Sequence, residues 1–132
     1  SDFLGKRVVL YFYPKDNTPG CTQEACDFSS ELAGFDALNA KVIGISKDSV
    51  KSHKNFESKH NLKITLLSDE QKEAHKAYGV WGIKKMYGKE VEGCIRSTFI
   101  INSDGEIVAE FRNVKVKGHI EEVKKRLGEL QS

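Results

Sequence analysis

Arg7-Val8-Val9-Leu10-Tyr11-Phe12-Tyr13-Pro14-Lys15-Asp16-Asn17-Thr18-Pro19-Gly20-Cys21-Thr22-Gln23-Glu24-Ala25-Cys26 is the stretch on which the fold turns. Its first seven residues are apolar, β-branched or aromatic after the arginine and stop at a proline, as a buried strand does. Beyond a loop over 14–20, the apolar residues Ala25, Phe28, Leu32 and Phe35 recur at helical spacing. A helix is therefore expected from near Cys21, with Gly34 marking its end.

The pattern repeats further along the chain. Val42, Ile43 and Ile45 predict a second strand, and 49–60 a polar helix with Val50 and Phe56 on one side. Residues 64–67 read as a third strand and 70–78 as a short helix stopped at Gly79. Four glycines interrupt 79–93, which predicts a functional loop. Strands over 97–101 and 106–111 flank Asn102-Ser103-Asp104-Gly105, whose Asp-Gly pair predicts a tight hairpin. Val116, Ile120, Val123, Leu127 and Leu130 then form one apolar stripe, an amphipathic helix that would cover a sheet face. Strands alternating with helices, then a hairpin and a helix, predict an α/β layered sheet flanked by helices.

A chain of 132 residues suits one domain with its own core, here spanning 1–132. Hydrophobic residues at 39% and charged residues at 30% match an ordinary globular protein, and no apolar run reaches bilayer length, so no membrane partner is expected. Twenty-one basic and 19 acidic side chains leave a net charge of +2, with the basic ones scattered. The lysines of 115–117 and the basic run 124–126 lie among acids and read as solvated faces, so nucleic acid is not an expected partner. Three cysteines are an odd number for a disulfide framework. Reduced thiols in a cytoplasmic setting are expected instead, and they become candidates for chemistry.

Thr18 suits a helix N-cap and Pro19 the first helical position. Cys21 then falls in the first turn, where unbonded backbone N–H groups and the positive helix end favour a thiolate. A zinc site would need four ligands, and the histidines at 53, 60, 75 and 119 offer no matching pair. They read as ordinary surface or partly buried side chains, and no metal is expected. A thioredoxin-type dithiol would space its cysteines by two residues, whereas four separate Cys21 from Cys26. On an intact helix, residues five apart have Cα atoms roughly 8 to 9 Å from each other. Disulfides require less than about 7 Å, so bonding two helical cysteines at this spacing demands local unwinding.

Tyr13-Pro14-Lys15-Asp16, Thr18-Pro19-Gly20-Cys21-Thr22 and Glu24-Ala25-Cys26 resemble the bacterioferritin comigratory protein, or Q-type, peroxiredoxins. The resemblance continues at Asp2-Phe3-Leu4-Gly5-Lys6, at Met86-Tyr87-Gly88-Lys89 and at Arg96-Ser97-Thr98-Phe99, covering essentially the whole chain. It implies a thioredoxin-like fold and a thiol-dependent peroxidase that reduces hydrogen peroxide and organic hydroperoxides to water or alcohols. Members ordinarily carry a stretch ahead of Asp2-Phe3-Leu4-Gly5-Lys6, so the chain is expected to lack it.

The resemblance also implies roles. Cys21 is the peroxidatic cysteine and Cys26 the resolving one, with a sulfenic acid on Cys21 as the intermediate. Pro14 shapes and shields the loop, Thr18 presents its hydroxyl to the peroxide, and Arg96 stabilises the thiolate and polarises the O–O bond. Thioredoxin or a similar dithiol donor recycles the disulfide, no metal, haem or flavin cofactor is needed, and the chain is a monomer. Cys94 reads as a small buried hydrophobe, and Trp81, Met86 and Tyr87 as packing. Competing readings are a thiol–disulfide oxidoreductase acting on proteins and a non-catalytic redox-responsive module. The former ordinarily sets a cis-proline opposite its cysteine, yet Pro14 and Pro19 both precede Cys21.

Overall fold

Side-chain alternation along the first apolar run fixes the layers. In the computed structural model, residues 7–16, 18–37, 40–86, 88–112 and 114–131 are described. The expectations placed on Asp2-Phe3-Leu4-Gly5-Lys6, Asn17 and Tyr87, and on the side chains of Met86, Lys89 and Leu130, lie outside the described residues. The elements run β1 (Arg7–Phe12), α1 (Pro19–Ser30), α2 (Leu32–Ala37), β2 (Ala40–Ser46), α3 (Val50–His60), β3 (Thr65–Ser68) and α4 (Glu73–Ala77). There follow β4 (Trp81–Met86), β5 (Lys89–Cys94), β6 (Ser97–Ile101), β7 (Ile107–Phe111) and α5 (His119–Gln131).

Strand β1 sends Val9 and Tyr11 to one face and Val8, Leu10 and Phe12 to the other, all buried. A strand covered on both faces belongs in the interior of a sheet. It lies at the centre of the order β3-β2-β1-β6-β7, parallel to β2 and antiparallel to β6, with Leu10 between Ile43 and Phe99. One face carries Ala25 and Phe28 of α1, Phe35 of α2, Phe56 of α3, and Ile120, Val123 and Leu127 of α5. The opposite face is closed by Tyr78, Val80, Trp81 and Cys94, from the end of α4 and the separate β4-β5 ribbon. The crossovers from β1 to β2 and from β2 to β3 step the same way along the sheet, and α1 and α3 pack on the same face, as two crossovers of one hand require. The expected α/β layered sheet is therefore the observed one.

Several expectations are corrected. The helix expected to run from Cys21 to Gly34 breaks at Glu31, and Gly34 lies inside α2. Ser30 turns its hydroxyl onto the Asp27 carbonyl, a local competitor for helix bonds. Val50 does not join Phe56 in the core: it is 57% exposed, and His53 takes the buried place. Helix α4 begins later than expected because the Asp69 carboxylate accepts the N–H groups of Ala74 and His75 at 3.2 and 2.9 Å. The glycine-rich segment is a regular ribbon, not a loop, with Gly82 opposite Gly93 and Gly88 supplying a positive φ at its turn. The second hairpin turns more widely than an Asp-Gly pair predicts. Of that pair only Gly105 has a positive φ, and Asn102 Oδ1 accepts from the N–H groups of Asp104 and Glu106. Val116 is half-buried ahead of α5 rather than within it.

Gly44 lies opposite Tyr11 in the parallel register, and the ring covers it. A Cβ there would stand 2.7 Å from Tyr11 Cζ and 2.9 Å from Leu66 Cδ2, both on buried side chains. Gly44→Ala is expected to destabilise the fold by about 1–3 kcal/mol through overpacking. Urea unfolding should show a lower midpoint at unchanged slope, and an unaltered midpoint would mean that the Tyr11 ring yields freely.

Candidate active site

The chain leaves β1 at Tyr13, whose N–H donates to the Ile45 carbonyl at 3.0 Å, and reaches α1 through the loop that Pro14 opens. Thr18 has the extended backbone of an N-cap, Pro19 follows at the first helical position, and the Thr18 carbonyl accepts from Thr22 N–H at 2.8 Å. The Thr18 side chain does not cap. Its hydroxyl donates instead to the Lys15 carbonyl at 2.9 Å, closing the loop on itself. Cys21 sits in the first turn as its spacing predicts, with 1% of its surface exposed.

Arg96 comes to this sulfur from the connection between β5 and β6, not from within a strand, and its backbone carbonyl accepts from Val114 N–H at 2.8 Å. Its Nη2 donates to Cys21 Sγ at 3.1 Å while Nη1 donates to Glu24 Oε1 at 2.6 Å. One guanidinium thus bridges two groups on α1. A Cβ on Gly20 would lie 3.3 Å from Arg96 Nη2, so the small residue leaves room for the approach.

Glu24 carries no expected role from the sequence, although it follows Cys21 by three positions and so shares its helix face. It is fully buried, and its Oε2 has no hydrogen-bond partner among the described residues. Burial pushes the Glu24 carboxyl up to about 7 against the opposing pull of Arg96. Burial works against the Arg96 charge as well, but Glu24 and Cys21 outweigh it and hold the guanidinium above its ordinary value. Behind them, the buried Tyr11 phenol is raised well above its usual range by burial first and then by Glu24 and Cys21. It too has no hydrogen-bond partner among the described residues.

The other sequence-predicted residues divide around this centre. Pro14 and Thr18 are half-buried at the two ends of the loop, outside the hydrogen bonds that join Cys21, Arg96 and Glu24. Cys26 lies half-buried further along α1 against the core, and its thiol, like those of Cys21 and Cys94, is reduced. Both Cys21 and Cys26 are helical, the condition under which bonding them demands unwinding. Cys94 is buried in the cluster on the opposite face of the sheet, as a small hydrophobe would be. Trp81 packs against that same cluster, edge-on to His75.

Three histidines are more deeply buried than expected, each held by a partner. His53 Nδ1 lies 2.7 Å from Asp16 Oδ2, His75 Nδ1 2.6 Å from Asp69 Oδ2, and His119 Nε2 2.7 Å from Thr98 Oγ1. Burial and the nearby Arg96 push His119 down to about 4, so its ring is neutral at pH 7. Among the described residues, no group of three or more His, Cys, Asp or Glu side chains is placed to hold a metal ion.

The arrangement suits a nucleophilic thiolate. A sulfur flanked by a guanidinium N–H and the N-terminal turn of a helix stands where negative charge is stabilised in advance. The raised carboxyl of Glu24 has a measurable consequence. A proton held more tightly in the folded chain stabilises the fold at low pH and ceases to do so as pH rises. For Glu24 that contribution is complete below the ordinary value of 4.5 and is lost as pH climbs through about 7. Glu24→Gln, which keeps an acceptor for Arg96, should flatten the fall in urea midpoint across that window, and an undiminished fall would show that another group titrates there.

Comparison with known proteins follows the same lines. The family model described as the AhpC/TSA family matches residues 1–110. Peroxiredoxin Bcp of Bacillus subtilis is 48% identical over 130 residues, which is 98% of this chain and 83% of that protein. The putative peroxiredoxin bcp of Helicobacter pylori strain 26695 is 54% identical over 122 residues, 92% of this chain and 80% of the relative. Among solved structures, the Xanthomonas campestris bacterioferritin comigratory protein, studied for alkyl peroxide reduction activity, superposes with a TM-score of 0.93 at 44% identity, covering 98% of this chain and 83% of its own. PrxQ of Xylella fastidiosa, as a cysteine-to-serine mutant, gives 0.94 at 44% identity, covering 99% and 81%. With the family match spanning most of its length and relatives near half identity, the chain belongs to the AhpC/TSA family, among the peroxiredoxins of the Bcp or Q kind.

Proposed function

We propose that Cys21, Cys26, Arg96, Thr18 and Pro14 divide the work of this thiol-dependent peroxidase, which reduces hydroperoxides to water or alcohols. The observation that carries the assignment is the 3.1 Å contact from Arg96 Nη2 to the buried Cys21 sulfur. The Cys21 thiolate attacks the terminal oxygen of the hydroperoxide, so an S–O bond forms as the O–O bond breaks. The departing hydroxide or alkoxide takes up a proton, and a sulfenic acid remains on Cys21. Arg96 and the first-turn N–H groups stabilise the charge that moves onto the leaving oxygen. The Thr18 hydroxyl donates its hydrogen bond to the Lys15 carbonyl, which leaves its oxygen lone pairs to accept the O–H of the peroxide. Pro14, with no N–H to offer, closes the loop wall.

Cys26 then attacks the Cys21 sulfur, forming a disulfide and expelling water. Both residues lie on α1 in the reduced state, so this step opens the helix. Exchange with a dithiol donor restores the thiols, and thioredoxin is the donor we assign. The alkyl peroxide reduction described for the Xanthomonas protein supports organic hydroperoxides as substrates here. A monomer in a reducing compartment such as the cytoplasm, where all three cysteines stay available as thiols, completes the proposal. Among the described residues, no helix is long and apolar enough to cross a membrane.

Mass mapping after one equivalent of peroxide should find a disulfide between Cys21 and Cys26; a link to Cys94, or no oxidation, would overturn the scheme. Cys21→Ser should abolish peroxide consumption, while Cys26→Ser should react once and stall as the sulfenic acid. Arg96→Ala is expected to slow the oxidation of Cys21 by about 10²- to 10³-fold, the usual cost of one preorganised donor, as read by rapid-quench mass spectrometry.

A further inference from the structure

The loop that delivers Cys21 is tied down by a buried cluster outside the site. Asp16 is buried five positions before Cys21. Its carboxylate accepts from Tyr13 Oη at 2.6 Å, Ser52 Oγ at 2.8 Å and His53 Nδ1 at 2.7 Å, while its own N–H donates to Asp48 Oδ2 at 2.8 Å. The other nitrogen of the His53 ring, Nε2, lies 3.0 Å from the Leu67 carbonyl on β3. A carboxylate and a backbone carbonyl only accept, so both ring nitrogens must donate. Neutral imidazole has one N–H and imidazolium has two.

We propose that His53 is a positioning residue of the peroxide step, held as an imidazolium between Asp16 and Leu67 so that the loop opened by Pro14 presents Thr18 and Cys21 in fixed register. The titratable groups facing it among the described residues are Asp16 from the loop, Tyr13 from the end of β1, and Asp48 from the turn before α3. Burial opposes the His53 charge, but the hydrogen bond and charge of Asp16, with the Leu67 carbonyl, raise it above its ordinary value. Burial likewise opposes the Asp16 charge, and the bonds from His53, Tyr13 and Ser52 hold it below the usual carboxylate range. A raised histidine holds its proton to higher pH than a free one, so its contribution to the fold is complete below the unfolded value of about 6.5 and is lost as pH rises through the higher folded value. The clamp is thus strongest on the acid side of that higher value and weakens as pH rises through it.

This inference rests on the assignment of Cys21 above, and two measurements separate the two. In the unmodified protein, nitrogen-15 NMR of His53 at about pH 7 should show both ring nitrogens protonated, whatever Cys21 does; a neutral tautomer would overturn the clamp. His53→Asn keeps one amide N–H where Nδ1 faces Asp16 but cannot titrate. The second-order rate constant for Cys21 oxidation should drop about tenfold at neutral pH, as small displacements of a reacting group do, and the alkaline fall should vanish from the pH profile. A variant with the rate and profile of the unmodified protein would overturn the proposal. A failure of the unmodified protein to oxidise at Cys21 would overturn the peroxidase reading, and with it the link from clamp to catalysis.

Discussion

Two acidic groups on one helix face, Cys21 and Glu24, are buried together, and Arg96 is the cation that makes this tolerable. A thiolate and a carboxylate so placed would repel each other and lose their water, and removing the positive partner of a buried charge is far more costly than losing a surface pair. The planar fork of arginine reaches both groups at once, 3.1 Å to sulfur and 2.6 Å to oxygen, a geometry that the point charge of a lysine does not reproduce. Much of the surrounding sequence makes sense as accommodation. Gly20 clears the approach, Val114 holds the backbone of Arg96, and the carboxyl of Glu24 keeps a proton well above the ordinary glutamate range.

What could be read from the chain alone was whatever is local. The apolar run of β1, the threonine and proline ahead of Cys21 and the stripe Ile120, Val123 and Leu127 of α5 each depend on neighbours within a few residues and appear where expected, although Val116 lies ahead of the helix and the Thr18 hydroxyl does not cap. The break between α1 and α2 has no signal in the spacing of the apolar residues, which runs on through Leu32 and Phe35, and the hydroxyl of Ser30 finds the Asp27 carbonyl only in the folded chain. The ribbon over Trp81 and its neighbours reads as a loop because glycines that serve a turn look the same in sequence as glycines that interrupt structure.

The place of Cys21 in the first turn of a helix is legible in the sequence, and the groups around it are not. Glu24 stands within the quoted motif, yet its burial is set by Arg96, 72 positions away. Asp16 and His53 are 37 positions apart, and no periodicity links them. Histidines read one at a time look like surface or partly buried residues, and only the folded chain brings the partners that explain why 53, 75 and 119 are buried.

Helix α1 has only 12 residues, and an isolated helix of that length is marginal in water. Ala25 and Phe28 anchor it to the sheet, Phe28 stacking on Tyr11 with ring centroids 4.7 Å apart, and Gln23 bonds to Asp27 at 2.7 Å on its outer side. The same contacts that keep α1 ordered resist the opening that the proposed Cys21–Cys26 disulfide requires. Substitutions that strengthen α1 would therefore lengthen the lifetime of the protein at high temperature while slowing its cycle. Thermal endurance and turnover pull on one short helix in opposite directions, which limits how far either can be improved alone.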